Sequence, residues 1–233
     1  MATTAITQHK TPFVYGLLTG SSIAIGYLPA ALTFGLLAKS TGLSFLETVA
    51  MSLFVYAGAA QYMALNLIAL GTGAFEIIFT TFIVNIRHLL MSASVSERVE
   101  HDHPIIKAIY SFGITDEVFA VTSTQEGTVK TGFVFGVASI AYVSWVINSA
   151  IGYLAGSALP ETLQQSMAIA LYAMFIALLI PSLKKQRKVL FLAASAALFN
   201  SIFSFFIPSG WSIILATLLS SIGIELITRR RHE

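Results

Sequence analysis

The chain has 233 residues, 56% of them apolar and only 10% charged, with a mean hydropathy of +0.80. A soluble domain carries about 25% charged residues, and a soluble fold of this size could not hide so much apolar surface, so the chain's solvent is lipid. The net charge of +2 comes with bases in two short clusters, which argues against nucleic acid as a partner, and the absence of cysteine excludes disulfide and thiolate chemistry.

Residues 1–12 form a short polar lead, and the apolar run after them is too long for a signal-peptide core, so it is read as retained. About 20 apolar residues cross a bilayer, and eight stretches qualify: 13–38, 44–70, 73–95, 105–125, 131–156, 163–181, 188–207 and 211–228. The predicted fold is an all-α integral membrane protein, a bundle of about seven to eight transmembrane helices, some broken, in one membrane domain over 1–233.

In the first stretch Gly26-Tyr27-Leu28-Pro29 is a breaker, because Pro29 removes a backbone hydrogen bond and should kink the helix. In the second, Ala57-Gly58-Ala59-Ala60-Gln61 lets two backbones approach closely. It also weakens the helix, so the helix breaks here and offers amides to a carboxylate, with Gln61 as a side-chain contact. Ordinary tight packing is the other reading of the same residues.

The third stretch holds Asn85-Ile86-Arg87-His88 well inside apolar sequence. A charged side chain at mid-bilayer costs about 2.5–3.5 kcal/mol, so this cluster faces protein or water. Asn85 and His88, three apart, share a helix face. A substrate or proton site is one reading, and a structural polar knot between helices is the other.

The fourth stretch carries Lys107 and Thr115-Asp116-Glu117, and it either spans or is re-entrant inside the bundle. Adjacent carboxylates point about 100° apart on a helix. One can pair with Arg87, and the other, kept neutral by burial, can carry a proton; hydration at the surface is the alternative. Asn148 and Asn200 read as interhelical glue. His101-Asp102-His103 lacks a third intramembrane ligand, so neither metal nor cofactor is expected.

Lys184, Lys185, Arg187 and Lys188 mark a cytoplasmic loop, and Arg229, Arg230 and Arg231 a cytoplasmic C-terminus. Counting back through eight spans puts Lys10 and Lys130 inside and Lys39, Arg98 and Lys107 outside: nine bases against three, with Arg87 within a span. Three short echoes lie near 115 residues apart: Phe34–Ala38 with Ile151–Ala155, Glu47-Thr48 with Glu161-Thr162, and Phe82–Asn85 with Ala197–Asn200. They suggest two structural repeats, 13–125 and 131–228, parallel if each half has four helices and inverted if the number is odd.

The order Tyr27-Leu28-Pro29, Phe34-Gly35, Gly42-Leu43-Ser44, AGAAQ at 57–61, Asn85-Ile86-Arg87-His88 and Thr115-Asp116-Glu117 resembles the AzlC family from about residue 13 to 225. The resemblance implies the large subunit of a branched-chain amino acid exporter of the bacterial inner membrane, moving valine, leucine, isoleucine and sometimes methionine. It also implies a small AzlD-like membrane subunit as partner. Some members are labelled as ATP-driven permeases, but no Gly-rich nucleotide loop is present here.

The mechanism expected is a secondary transporter with alternating access and, most economically, proton coupling. Tyr27, Pro29, Gly58, Gln61, Asn85 and Arg87 are the candidate substrate-binding residues, and His88, Asp116 and Glu117 the candidate proton carriers. The solute's carboxylate wants helix-end amides or Arg87. Its ammonium wants Asp116, Glu117 or backbone carbonyls. An intramembrane enzyme using His88 with an acid lacks a nucleophile motif or metal set. A non-transporting subunit that stabilises a partner is the remaining alternative.

Overall fold

The computed structural model describes residues 11–155 and 187–229, with positions 158, 160, 162, 169, 173, 176, 179–180 and 183–184 between them. These residues form helices α1 (Pro12–Ser40), α2 (Phe45–Phe54), α3 (Gly58–Ala69), α4 (Ala74–Arg98), α5 (Pro104–Phe112), α6 (Asp116–Ser123), α7 (Thr131–Ala155), α8 (Arg187–Phe203) and α9 (Ser209–Arg229). Among the described residues four helices are long and apolar enough to cross a membrane: α1, α4, α7 and, over 209–226, α9. Most of the predicted stretch 163–181 lies outside the described residues.

Local chemistry sets the helix starts. Pro12 occupies the first turn of α1 behind the Thr11 cap, a position where its missing N–H costs nothing. Ser44 and Glu47 form a reciprocal capping box on α2. The Thr115 hydroxyl accepts from the Val118 amide at the start of α6. Pro29 does not end α1, which runs through it as one helix of 29 residues. The helix is therefore not interrupted at this breaker.

α1 and α7 run parallel with backbone against backbone. A Cβ on Gly16 would lie 2.2 Å from the Phe133 carbonyl oxygen, and one on Gly136 2.2 Å from that of Phe13. Farther along, a Cβ on Gly35 would lie 2.0 Å from the Ser149 oxygen, and one on Gly152 2.1 Å from the Leu32 oxygen. Only residues without a side chain permit this approach.

The second and fourth predicted stretches do not cross; each is a helix hairpin that returns to the rim it came from. α2 descends along α7: Tyr153 donates to the Leu43 carbonyl at its start (3.0 Å), and Tyr142 to the Leu53 carbonyl at its end (2.8 Å). After a break at 55–57, α3 climbs back along α1, from Gly58 at Trp145 to Tyr62, whose hydroxyl donates to the Ala30 carbonyl at 2.7 Å. Its ring lies beside Phe34.

The other hairpin enters from the opposite, basal rim. α5 rises along α7, with Tyr110 against Phe135 and Gly113 against Ala138. α6 then descends along α4, from the Asp116–Arg87 pair to Arg98, which donates to the Ser123 and Gln125 carbonyls. The tips meet near the middle of α1 and α7, where Tyr56 packs on Phe112 and Tyr142 (6.1 and 4.8 Å between ring centres).

This arrangement makes an inverted pair of smaller units. A crossing helix plus a hairpin occurs twice, with α4, α5 and α6 starting 62, 59 and 58 residues after α1, α2 and α3 and running in the opposite sense. The basal rim is tied by Lys130 to Glu100 (2.9 Å), by the Thr131 amide to Glu100 (3.1 Å) and by the Thr131 hydroxyl to Asp102. α9 joins at the distal rim, where the Gly210 amide donates to Glu76 (3.1 Å) and Trp211 packs on Phe79. α8 runs antiparallel to α9, held by Lys188–Glu225 at one end and Ser212 to Asn200 at the other.

Candidate functional site

The two hairpin tips enclose a cavity lined by Tyr27, Tyr56, Ala57, Gly58, Ala59, Arg87, His88, Thr115, Asp116, Glu117 and Trp145. The space between the tips is about 330 Å³ with open solvent counted, and the room for water-sized molecules inside it is about 20 Å³. Five helices and two turns contribute, so residues far apart in sequence meet midway along α1 and α7.

On one wall Tyr27 of α1 reaches the tip of the basal hairpin. Its hydroxyl donates to Glu117 Oε2 at 2.5 Å and lies 2.7 Å from the Thr115 hydroxyl. Because Tyr27 spends its only proton on Glu117, the Thr115 hydroxyl is the donor of the second bond. The link ties α1 to the hairpin through a charge-assisted contact. Beside it Arg87 Nη2 sits 3.0 Å from Asp116 Oδ2, with side chains 37% and 24% exposed. The acid predicted to pair with Arg87 is thus Asp116, while Glu117 is held by Tyr27.

The opposite wall is apolar and built on Trp145. Its indole N–H donates to Gln61 Oε1 (2.9 Å), and Gln61 Nε2 donates to the Ser52 hydroxyl (3.3 Å). Both ends of the Gln61 amide are therefore engaged, in a side chain that is 0% exposed. Trp145 also packs edge-on against Tyr27 and over Gly58, where a Cβ would come within 2.9 Å of the ring.

The predicted site residues divide. Tyr27, Gly58, Arg87, His88, Asp116 and Glu117 share the cavity. Gln61 does not line it, against its expected place as a substrate contact; it stands behind the cavity, bonded to Trp145 and Ser52. Pro29 and Asn85 do not line it; Pro29 is in the wall of α1, and the Asn85 carbonyl oxygen is buried without a hydrogen bond among the described residues. Asn148 bonds to Ser144 in its own helix and so is not interhelical glue, whereas Asn200 joins α8 to α9. His103 caps the start of α5.

Two residues of the site were missed from sequence. Tyr56 has φ +42°, the left-handed region that costs an L-residue about 1–2 kcal/mol. It is 3% exposed, and its hydroxyl has no well-formed hydrogen bond, although Tyr27 and Glu117 are near. Its place just before the predicted break at 57–61 was the available signal. Trp145 gives none, being one aromatic in an apolar run.

A family model described as AzlC protein matches residues 22–159, the span that contains every cavity residue. The chain belongs to the AzlC family. Among relatives of this AzlC chain, a membrane protein of Archaeoglobus fulgidus named as uncharacterized is 34% identical, covering 74% of this chain and 76% of its own. The inner membrane protein YgaZ of Escherichia coli is 29% identical over 84% and 83% of the two chains. The branched-chain amino acid transport protein AzlC of Bacillus subtilis is 26% identical over 91% and 83%. No solved structure matches.

Proposed function

We propose that this protein exports the branched-chain amino acids valine, leucine and isoleucine, with methionine as a further substrate, across the bacterial inner membrane. It does so as the large subunit of a two-component secondary transporter, with a small AzlD-like membrane subunit as partner. The observation that carries the reading is the cavity at mid-bilayer, where Arg87–Asp116, His88 and Glu117 gather between two hairpins entering from opposite rims. Ionisable groups at that depth are costly and mark solute or proton pathways, and inverted units meeting at a central site are a recurring transporter plan. The name of the Bacillus subtilis relative supports the same solute class.

In this reading the basal rim is cytoplasmic. Lys130 and Lys188 lie toward it and Lys39 toward the other, as the sequence count expects; Arg98 and Lys107, which the eight-span count put outside, also lie on the basal side, a correction that follows because the second and fourth stretches turn back instead of crossing. Tyr27, Gly58 and the neighbouring tip residues hold the solute. Asp116, Glu117 and His88 exchange protons as the tips open in turn.

The test is free leucine and valine in dipeptide-fed cells that carry the protein with its small partner. Wild type lowers both. Asp116→Asn inserts in the membrane but leaves them as high as in cells lacking the gene. Normal export by Asp116→Asn at every external pH removes Asp116 from the mechanism, and equal accumulation with and without the wild-type gene removes the exporter reading.

A further inference from the structure

The two hairpin tips are equivalent in fold and opposite in electrical character. At the basal tip, Thr115 caps α6, and Asp116 and Glu117 fill its first turn, so the positive end of that helix is answered by its own residues. At the distal tip α3 begins at Gly58 behind Ala57, with no side-chain cap. Its first internal bond is made by the Gln61 amide to the Ala57 carbonyl (2.9 Å), so the amides of Gly58, Ala59 and Ala60 precede any helical acceptor. Ala57 and Ala60 are 4% and 0% exposed. Unanswered donors at mid-bilayer are expensive. The hydroxyl of Tyr56, a residue 3% exposed, has no well-formed hydrogen bond among the described residues and lines the same cavity as Ala57, Gly58 and Ala59.

We propose that the carboxylate of a zwitterionic solute caps α3, accepting from its first-turn amides and the Tyr56 hydroxyl, while the ammonium faces the Glu117 side of the cavity. Arg87 is then no solute ligand; its guanidinium is committed to Asp116. The small residues at the tip have a reason: a side chain at Gly58 would meet Trp145 at 2.9 Å and fill the approach to the amides. Tyr56 keeps its left-handed φ because that geometry turns the chain so that hydroxyl and amides face one space. Cation-only and anion-only molecules satisfy one tip and leave the other unanswered. The solute's identity as an amino acid rests on the transport reading above; the polarity of the site does not.

The experiment is binding by the purified full-length protein, with leucine, leucinamide (no carboxylate) and 4-methylpentanoate (no ammonium) as probes. Leucine binds, and each analogue is weaker by at least about tenfold, the cost of one unmade charge-assisted contact. Ala57→Ser supplies α3 with the hydroxyl cap that Thr115 gives α6. It is expected to keep or raise the melting temperature and to weaken leucine by a similar factor, as is Tyr56→Phe. A purely structural tip would leave affinity unchanged in Ala57→Ser, which overturns the proposal. Leucinamide binding as tightly as leucine overturns it too, as does absence of leucine binding while efflux still depends on the gene. Efflux that does not need the gene sinks the transport reading and leaves the binding result to stand on its own.

Discussion

Replacing Gln61 with Leu removes the amide that links α2, α3 and α7 behind the cavity. Two polar groups lose their partner at once: the Trp145 indole N–H and the Ser52 hydroxyl, both in residues at most 2% exposed. An orphaned buried group costs about 1–3 kcal/mol, so the variant is expected to lose about 2–4 kcal/mol once the apolar burial gained by Leu offsets part of the sum. In a chain of this size that corresponds to roughly 4–16 °C of melting temperature. The assay is a thermal melt of the detergent-solubilised protein, in a Trp211→Phe background that leaves Trp145 as the sole reporter of the chain's two tryptophans. Emission of Trp145 should shift as its hydrogen bond is lost. Gln61→Leu melting within about 1 °C of the parent, with unchanged emission, would refute the assignment of Gln61 as the residue that orients Trp145.

Gly152→Ala drives a Cβ to 2.1 Å from the Leu32 oxygen and 2.7 Å from its Cα, atoms that cannot step aside. Overpacking of about 1–3 kcal/mol should outweigh the gain of about 1 kcal/mol in helix propensity, and a raised melting temperature would show that the seam tolerates separation. At the basal rim Lys130, and then the Thr131 amide, hold the Glu100 carboxyl below its ordinary 4.5. The folded value is depressed, so this stabilisation is present above 4.5 and is lost as pH falls through the folded value. Glu100→Gln should flatten the acid limb of a melting-temperature profile between pH 3 and pH 6 by a small margin, since the pair is exposed.

Much of this fold was legible. The long apolar runs became α1, α4 and α7, and the second stretch broke at 55–57, at the leading edge of the small-residue run 57–61, whose remaining residues open α3. What the sequence withheld was the sense of the chain after each break. A kinked crossing helix and a hairpin of two short helices have the same composition; only contacts such as Tyr142 with Leu53 and Tyr62 with Ala30 tell them apart. The fourth stretch was open between spanning and re-entrant for that reason. The echo of Phe34-Gly35 in Ile151-Gly152 has a packing cause, since Gly35 and Gly152 sit at the same parallel seam. At the site, charge in apolar sequence drew attention to Arg87, His88, Asp116 and Glu117, and the cavity gathers all four. Trp145 and Tyr56 stayed hidden, because an aromatic in a greasy run looks like any other.

The glycine seam between α1 and α7 also decides what can move. Where two main chains touch, no rotamer can give way, and sliding one past the other would collide carbonyls with α-carbons at both ends of the seam, near Gly16 and Gly136 and near Gly35 and Gly152. The pair therefore behaves as a single stiff mast. Any rearrangement that admits a molecule to the centre must come from the short hairpins swinging against that mast, each hung from its own shore of the bilayer.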